Sequence, residues 1–150
     1  MMRALPWLAL VACSAFDPVV STSPPDDEVD AGGEVQFGRD IRPLMNRLAS
    51  DPSGHGCRAC HYSTEPSHSG IVAVQLDLST LGALRRGGAH TTANIIIPGD
   101  PDHSALVQKL RGTYPDGLRM PRDGPPYWSE QDIQIVERWI AQGAKGYDSE

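Results

Sequence analysis

Apolar residues recur at three- and four-residue steps in two parts of the chain, a spacing typical of amphipathic helices. The first helix should begin close to Pro43, because proline is tolerated only in a first turn, with Asp40 as a plausible cap. Its predicted inward-facing stripe comprises Phe37, Ile41, Leu44, Met45 and Leu48.

The clearest predicted helix is the last one. Ser129 should cap it, Asp132 occupies the third position as in a capping box, and Gly143 should end it. Its apolar stripe comprises Ile133, Val136, Trp139 and Ile140. These two helices are expected to supply much of the core.

The middle of the chain has weaker signals. Short helices are predicted over 79–86 and 104–110, the latter with Leu106, Val107 and Leu110 facing inward. Residues 95–97 should form a buried extended run that ends in the Pro-Gly-Asp-Pro turn. Residues 111–128 are rich in helix breakers and predict a long ordered loop, a feature that is usually functional. Strong strand alternation and internal repeats are absent, so the predicted fold class is mostly α.

Composition changes this picture in two ways. The acidic balance belongs to one segment, because residues 14–34 hold six acids and no base, while residues 35–150 hold 13 acids against 12 bases. Nucleic acid is therefore not an expected partner. Leu, Ile, Val and Phe total only 23 of the 116 residues from 35 to 150, close to the 20% typical of disordered chains. Either the domain is weakly stable or something other than side chains fills its core.

The N-terminus resembles an export signal. Residues 1–12 place one base, Arg3, before a short apolar stretch that ends in small residues. Leu10-Val11-Ala12-Cys13 resembles the lipobox of bacterial lipoproteins, in which the cysteine becomes the lipidated first residue; an ordinary secretory signal is the alternative. Residues 13–34 would then be a lipidated cysteine and a disordered Pro/Ser-rich acidic tether, followed by one domain over 35–150. The expected location is the periplasmic or cell-surface side of a bacterial membrane.

The two remaining cysteines stand in Cys57-Arg58-Ala59-Cys60-His61. This C-x-x-C-H pattern is the attachment signature of c-type haem. One helical turn places both thiols along one edge of the porphyrin, where each adds to a vinyl group, and His61 can then reach the iron. A thioredoxin-like pair would need a βαβ pattern, a zinc site would need further ligands, and a simple disulfide leaves His61 unexplained. The cofactor predicted is one covalent haem c, which would also supply the missing apolar core.

Residues 35–150 resemble the small c-type cytochrome domain of planctomycete-type and related bacterial cytochromes. The resemblance implies a mono-haem fold of three to five short helices with long ordered loops, whose first and last helices pack together. One departure is the longer loop 49–56 before the first cysteine. The segments that carry the resemblance are 35–37, 40–44, 57–61, 76–77, 97–101, 104–106, 118–121 and 139–144.

A carrier of this class needs a second axial ligand. Met120 is preferred, because it lies in the breaker-rich loop directly before a proline, where the backbone is extended, and the family pattern places its distal Met here. Met45 lies on a helical stripe and is expected to be core. His55 is too close to Cys57 to reach the opposite face of the ring. The other histidines, which are expected on the solvated surface, are His68, His90 and His103.

These features together predict a membrane-tethered electron-transfer cytochrome rather than an enzyme, with redox proteins of the envelope as its partners. Two alternatives stay open. A haem-based redox or gas sensor would require Met120 to leave the iron readily. A haem-free structural lipoprotein would contain a Cys57–Cys60 disulfide.

Overall fold

The computed structural model describes residues 33–150, so the predicted signal peptide, Cys13 and nearly all of the tether lie outside the described residues. Within 33–150 the regular secondary structure is helical and contains no strand, which confirms the mostly α class, but six short α-helices are present where three to five were expected. A π-helical turn over Phe37–Ile41 continues directly into the first α-helix. The α-helices are α1 (Arg42–Met45), α2 (Arg58–His61), α3 (Ser69–Val74), α4 (Leu81–Arg86), α5 (Ala105–Arg111) and α6 (Glu130–Ala141), and a 3₁₀ turn covers Thr92–Ile95.

The first helix agrees with its prediction near Pro43 but not at its cap or at its end. The α-helical part begins at Arg42 with Pro43 in its first turn, and a π-helical turn from Phe37, whose N-cap residue is Gln36, precedes it. Asp40 is not the cap; its carboxylate lies inside the first turn and accepts the Gln36 backbone N–H at 2.8 Å. The stripe is buried at Phe37, Ile41 and Met45, but Leu48 is 67% exposed. Leu48 lies beyond the helix, because the chain turns after Met45.

The last helix agrees with its prediction. The Ser129 side chain accepts the Asp132 backbone N–H at 3.1 Å, and the Asp132 carboxylate accepts the Ser129 N–H at 3.3 Å, which completes a capping box. All four predicted stripe residues of α6 are buried. The rings of Phe37 and Trp139 lie 5.5 Å apart between centroids, so the first and last helices pack together in the core.

The segments between the first and last helices agree with their predictions only in part. Helix α4 is present and is capped by Thr80, and α5 buries Leu106, Val107 and Leu110 as predicted. The extended run predicted over 95–97 is wrong in detail, because the 3₁₀ turn includes Ile95 and only the following residue is extended and buried. Helix α3 was not predicted. It has no buried residue, and its apolar residues 71–74 form an uninterrupted run without helical spacing.

The two ends of the described segment are joined. The Val35 N–H donates to the Gln142 side-chain oxygen at 2.8 Å, and the Gln142 amide donates to the Gly33 carbonyl at 3.2 Å. Lys145 also pairs with Glu34. These contacts attach the N-terminal residues of the domain to the C-terminal end of α6. No helix in the part of the chain described here is both long and apolar enough to cross a bilayer.

Candidate cofactor cavity

A cavity of about 790 Å³ opens between α2, α3, α5 and the loop that follows α5. Its volume lies in the range of roughly 300–1,000 Å³ that is usual for cofactor and small-molecule sites. The cavity is lined by all four residues that the sequence predicts to hold the haem: Cys57, Cys60, His61 and Met120. They are separated by up to 63 positions in the chain, and the fold brings them to one space.

The two cysteines lie on the single turn of α2. Cys57 is the N-cap residue, its N–H donates to the Met45 carbonyl at 2.7 Å, and its own carbonyl accepts the His61 N–H at 2.9 Å. Both cysteines are free thiols. Burial, together with the neighbouring Cys60, raises the pKa of the Cys57 thiol to about 12, so this sulfur is protonated at neutral pH. Cys60 is exposed at the cavity edge.

His61 is held in one orientation by its surroundings. The imidazole is 8% exposed, and its Nδ1 lies 3.0 Å from the Leu76 carbonyl oxygen. Because a carbonyl can only accept, Nδ1 carries the proton, and the neutral ring keeps a lone pair on Nε2. Burial lowers the pKa of His61 and so favours this neutral form. The ring also packs on Gly70 of α3, where an added Cβ would lie 2.4 Å from the imidazole Cε1.

The two candidate methionines have different surroundings. Met45 is fully buried in the apolar core, as the stripe predicts. Met120 is half-buried on the cavity wall, and its N–H donates to the Lys109 carbonyl at 2.9 Å. The structure thus places Met120, and not Met45, in the same space as His61.

Of the other histidines, His90 differs from its prediction. It is exposed, as expected for a surface residue, but it also lines the cavity, because the turn before the 3₁₀ segment faces it. His55 lies 2.9 Å from an Asp123 carboxylate oxygen, and His68 lies 2.6 Å from the Glu65 carbonyl. His103 pairs with an aspartate on the surface.

Polar residues at the cavity complete the site. Lys109 and Arg122 supply positive charge, while Asp116 and Asp123 supply negative charge. Sequence reasoning missed Lys109, because it lies beside the inward stripe of a short helix and has no motif around it. Only the return of the loop after α5 shows that it belongs to the site.

The donor set fits a covalently attached haem. Two thiols on one helical turn, an imidazole with a free Nε2 and a thioether share one cavity, whose wall also includes Ile95, Leu106 and Leu110. Within 33–150, no group of three or more His, Cys, Asp or Glu side chains is placed to hold a metal ion. A haem needs no such group, because its porphyrin supplies four of the iron ligands. Comparison of the chain with protein-family models, curated proteins and solved structures finds no match.

Proposed function

We propose that this chain is a mono-haem c-type cytochrome that carries single electrons. The observation that supports the proposal is the convergence of Cys57, Cys60, His61 and Met120 on one cavity of about 790 Å³. When bound, the haem iron supplies a one-electron change between its ferrous and ferric forms.

Attachment requires only the two thiols. Each S–H adds across one vinyl C=C of the porphyrin: the sulfur bonds to one carbon, the hydrogen goes to the other, and no oxidant is consumed. Cys57 presents its thiol inside the cavity, and Cys60 presents its thiol at the cavity edge. Their positions on one turn of α2 set the spacing for neighbouring vinyl groups.

The chain also supplies the axial ligands in this proposal. His61 offers Nε2, because the Leu76 carbonyl holds the proton on Nδ1. This hydrogen bond to the backbone fixes the ring and raises the basicity of the ligand. Met120 offers its sulfur from the loop after α5. If His61 and Met120 both held the iron, it would have no open site for a substrate, and we therefore propose a carrier rather than an enzyme.

Covalent haem is the direct test. The chain should be expressed with a c-type maturation system, and its haem should survive denaturing electrophoresis and give the spectrum of thioether-linked haem in alkaline pyridine. Cys57→Ser and Cys60→Ser should each lose one thioether and shift this spectrum. Cys13→Ser is the matched control, since it removes the third cysteine of the chain. Wild-type protein that carries no covalent haem, or a Cys57–Cys60 disulfide found instead, would overturn the proposal.

We further propose that Cys13 carries a lipid anchor and that the acidic tether holds the domain near redox proteins of the bacterial envelope. Cys13→Ser should then release the protein from membranes while its visible spectrum stays unchanged. Membranes are sedimented at high salt, and haem staining of the pellet and the supernatant then shows which fraction contains the protein. A Cys13→Ser variant that still sediments with membranes would contradict the anchor.

A further inference from the structure

The segment that carries Met120 is folded back on the last turn of α5. The Met120 N–H donates to the Lys109 carbonyl at 2.9 Å, and the Arg119 Nε donates to the Leu110 carbonyl at 2.8 Å. The last carbonyls of a helix have no partner within the helix. The returning loop supplies these partners, so α5 is the support on which Met120 is mounted.

The Lys109 side chain adds a second attachment to the same segment. Its ammonium donates to the Asp116 carbonyl and lies 4.5 Å from the centroid of the Tyr114 ring. Gly117 has φ +72°, and a Cβ added there would lie 3.2 Å from Nζ, so this glycine leaves room for the ammonium. Lys109 thus contacts the loop with its side chain and holds Met120 with its carbonyl.

The position of Lys109 makes this attachment relevant to the iron site. Lys109 lines the cavity together with Tyr114, Asp116 and Met120. A hydrogen bond from a charged donor is stronger than one between neutral groups. Without the ammonium, the Asp116 carbonyl and the Tyr114 ring would lose a side chain that bridges them to α5.

We propose that Lys109 is a positioning residue for Met120, which clamps the loop over 114–120 onto α5 and keeps the thioether directed at the haem. This inference rests on the proposed function, in which Met120 is the distal ligand. The clamp would resist opening of the loop and therefore resist replacement of Met120 by ligands from solution.

The test compares three variants of the haem-loaded protein with wild type. Lys109→Leu removes the ammonium without adding a new iron ligand, and Lys109→Arg retains a cationic donor that can also stack on an aromatic ring. Lys145→Leu is the matched control, because its ammonium pairs with Glu34 and does not line the cavity. Two quantities are measured: the affinity of the ferric protein for added imidazole, and amide hydrogen exchange of the segment 113–120.

The Lys109→Leu variant should bind imidazole roughly tenfold more tightly, and its Met120 amide hydrogen should exchange roughly tenfold faster. Both changes correspond to the loss of one charge-assisted hydrogen bond. Lys109→Arg should restore most of both values, and Lys145→Leu should equal wild type. Equal imidazole affinity and equal exchange in wild type and Lys109→Leu would overturn the inference. If wild type carries no covalent haem, the proposed function fails separately, and amide exchange still decides whether Lys109 clamps the loop.

Discussion

The ion pair between Arg47 and Asp132 gives a quantitative test of how the domain is held together. Both guanidinium Nη atoms donate to the Asp132 carboxylate at 2.8 Å, and the two side chains are only 15% and 12% exposed. The same carboxylate belongs to the capping box of α6. The pair therefore links the residues just after α1 to the beginning of α6.

Asp132→Ala should lower the free energy of unfolding by about 3 kcal/mol. Removing one partner of a buried pair costs roughly 3–5 kcal/mol, and the remaining exposure places this pair at the lower end. Ser129→Ala disturbs the capping box and keeps the ion pair, so it should cost about 1 kcal/mol. With a urea slope of about 2 kcal/mol per M, the two midpoints should fall by about 1.5 M and about 0.5 M. Equal losses in the two variants would show that the pair with Arg47 contributes nothing.

The same pair predicts a pH dependence. Burial favours the protonated acid, but hydrogen bonds from Arg47 and Ser129 outweigh it and hold the pKa of Asp132 below its ordinary value. A carboxyl whose pKa is lower in the folded state stabilises the fold above its unfolded pKa of about 3.9 and loses that stabilisation as the pH falls through the folded value. The difference between wild type and Asp132→Asn should therefore be full at pH 6 and shrink below about pH 4. A difference that persists unchanged at pH 2.5 would contradict this reasoning.

Two further predictions concern the haem site. Met120→Ala should abolish the weak far-red ferric band of a sulfur–iron bond and let the ferrous protein bind carbon monoxide. Met45→Leu, a core exchange costing less than about 1.5 kcal/mol, should leave the band intact. The reverse pattern would refute the ligand assignment, and wild type that binds carbon monoxide readily would favour the sensor alternative over the electron carrier. Gly70→Ala places a methyl group against the His61 ring, so it should shift the reduction potential without loss of covalent haem. Redox titration measures the potential, and an unchanged value would refute the role of that contact.

Sequence-based predictions succeed where the interacting residues are close together in the chain. The capping box of α6 and the helical turn that carries Cys60 and His61 are local, so their residues alone specify them. Leu48 failed because its helical spacing continues past the point where the chain turns: the Arg47 carbonyl accepts the Gly56 N–H at 3.2 Å, a contact that the stripe does not encode. Periodicity describes a face of a helix but does not show where the helix ends.

The unpredicted part of the site depends on segments that face the cavity rather than the core. Helix α3 has no buried side chain, and its apolar residues do not recur at helical spacing, yet its Gly70 packs against the His61 ring. His90 and Lys109 are polar and carry no motif, and only the paths of two loops bring them to Met120. The cavity wall mixes such polar residues with apolar ones, including Ile95 and Leu106, and no single periodic pattern in the sequence marks its boundary.

The bonds that join Gly33 and Val35 to Gln142 span 109 and 107 residues. Closing so long a loop costs only slightly more entropy than closing a shorter one, so its main effect falls on the order and rate of folding. During synthesis the chain cannot close this ring until Gln142 has emerged. Residues 57–61 lie far ahead of that point, so the thiols are made early and remain on an open chain. The helical turn that carries both thiols can therefore form before the two ends of the domain are joined.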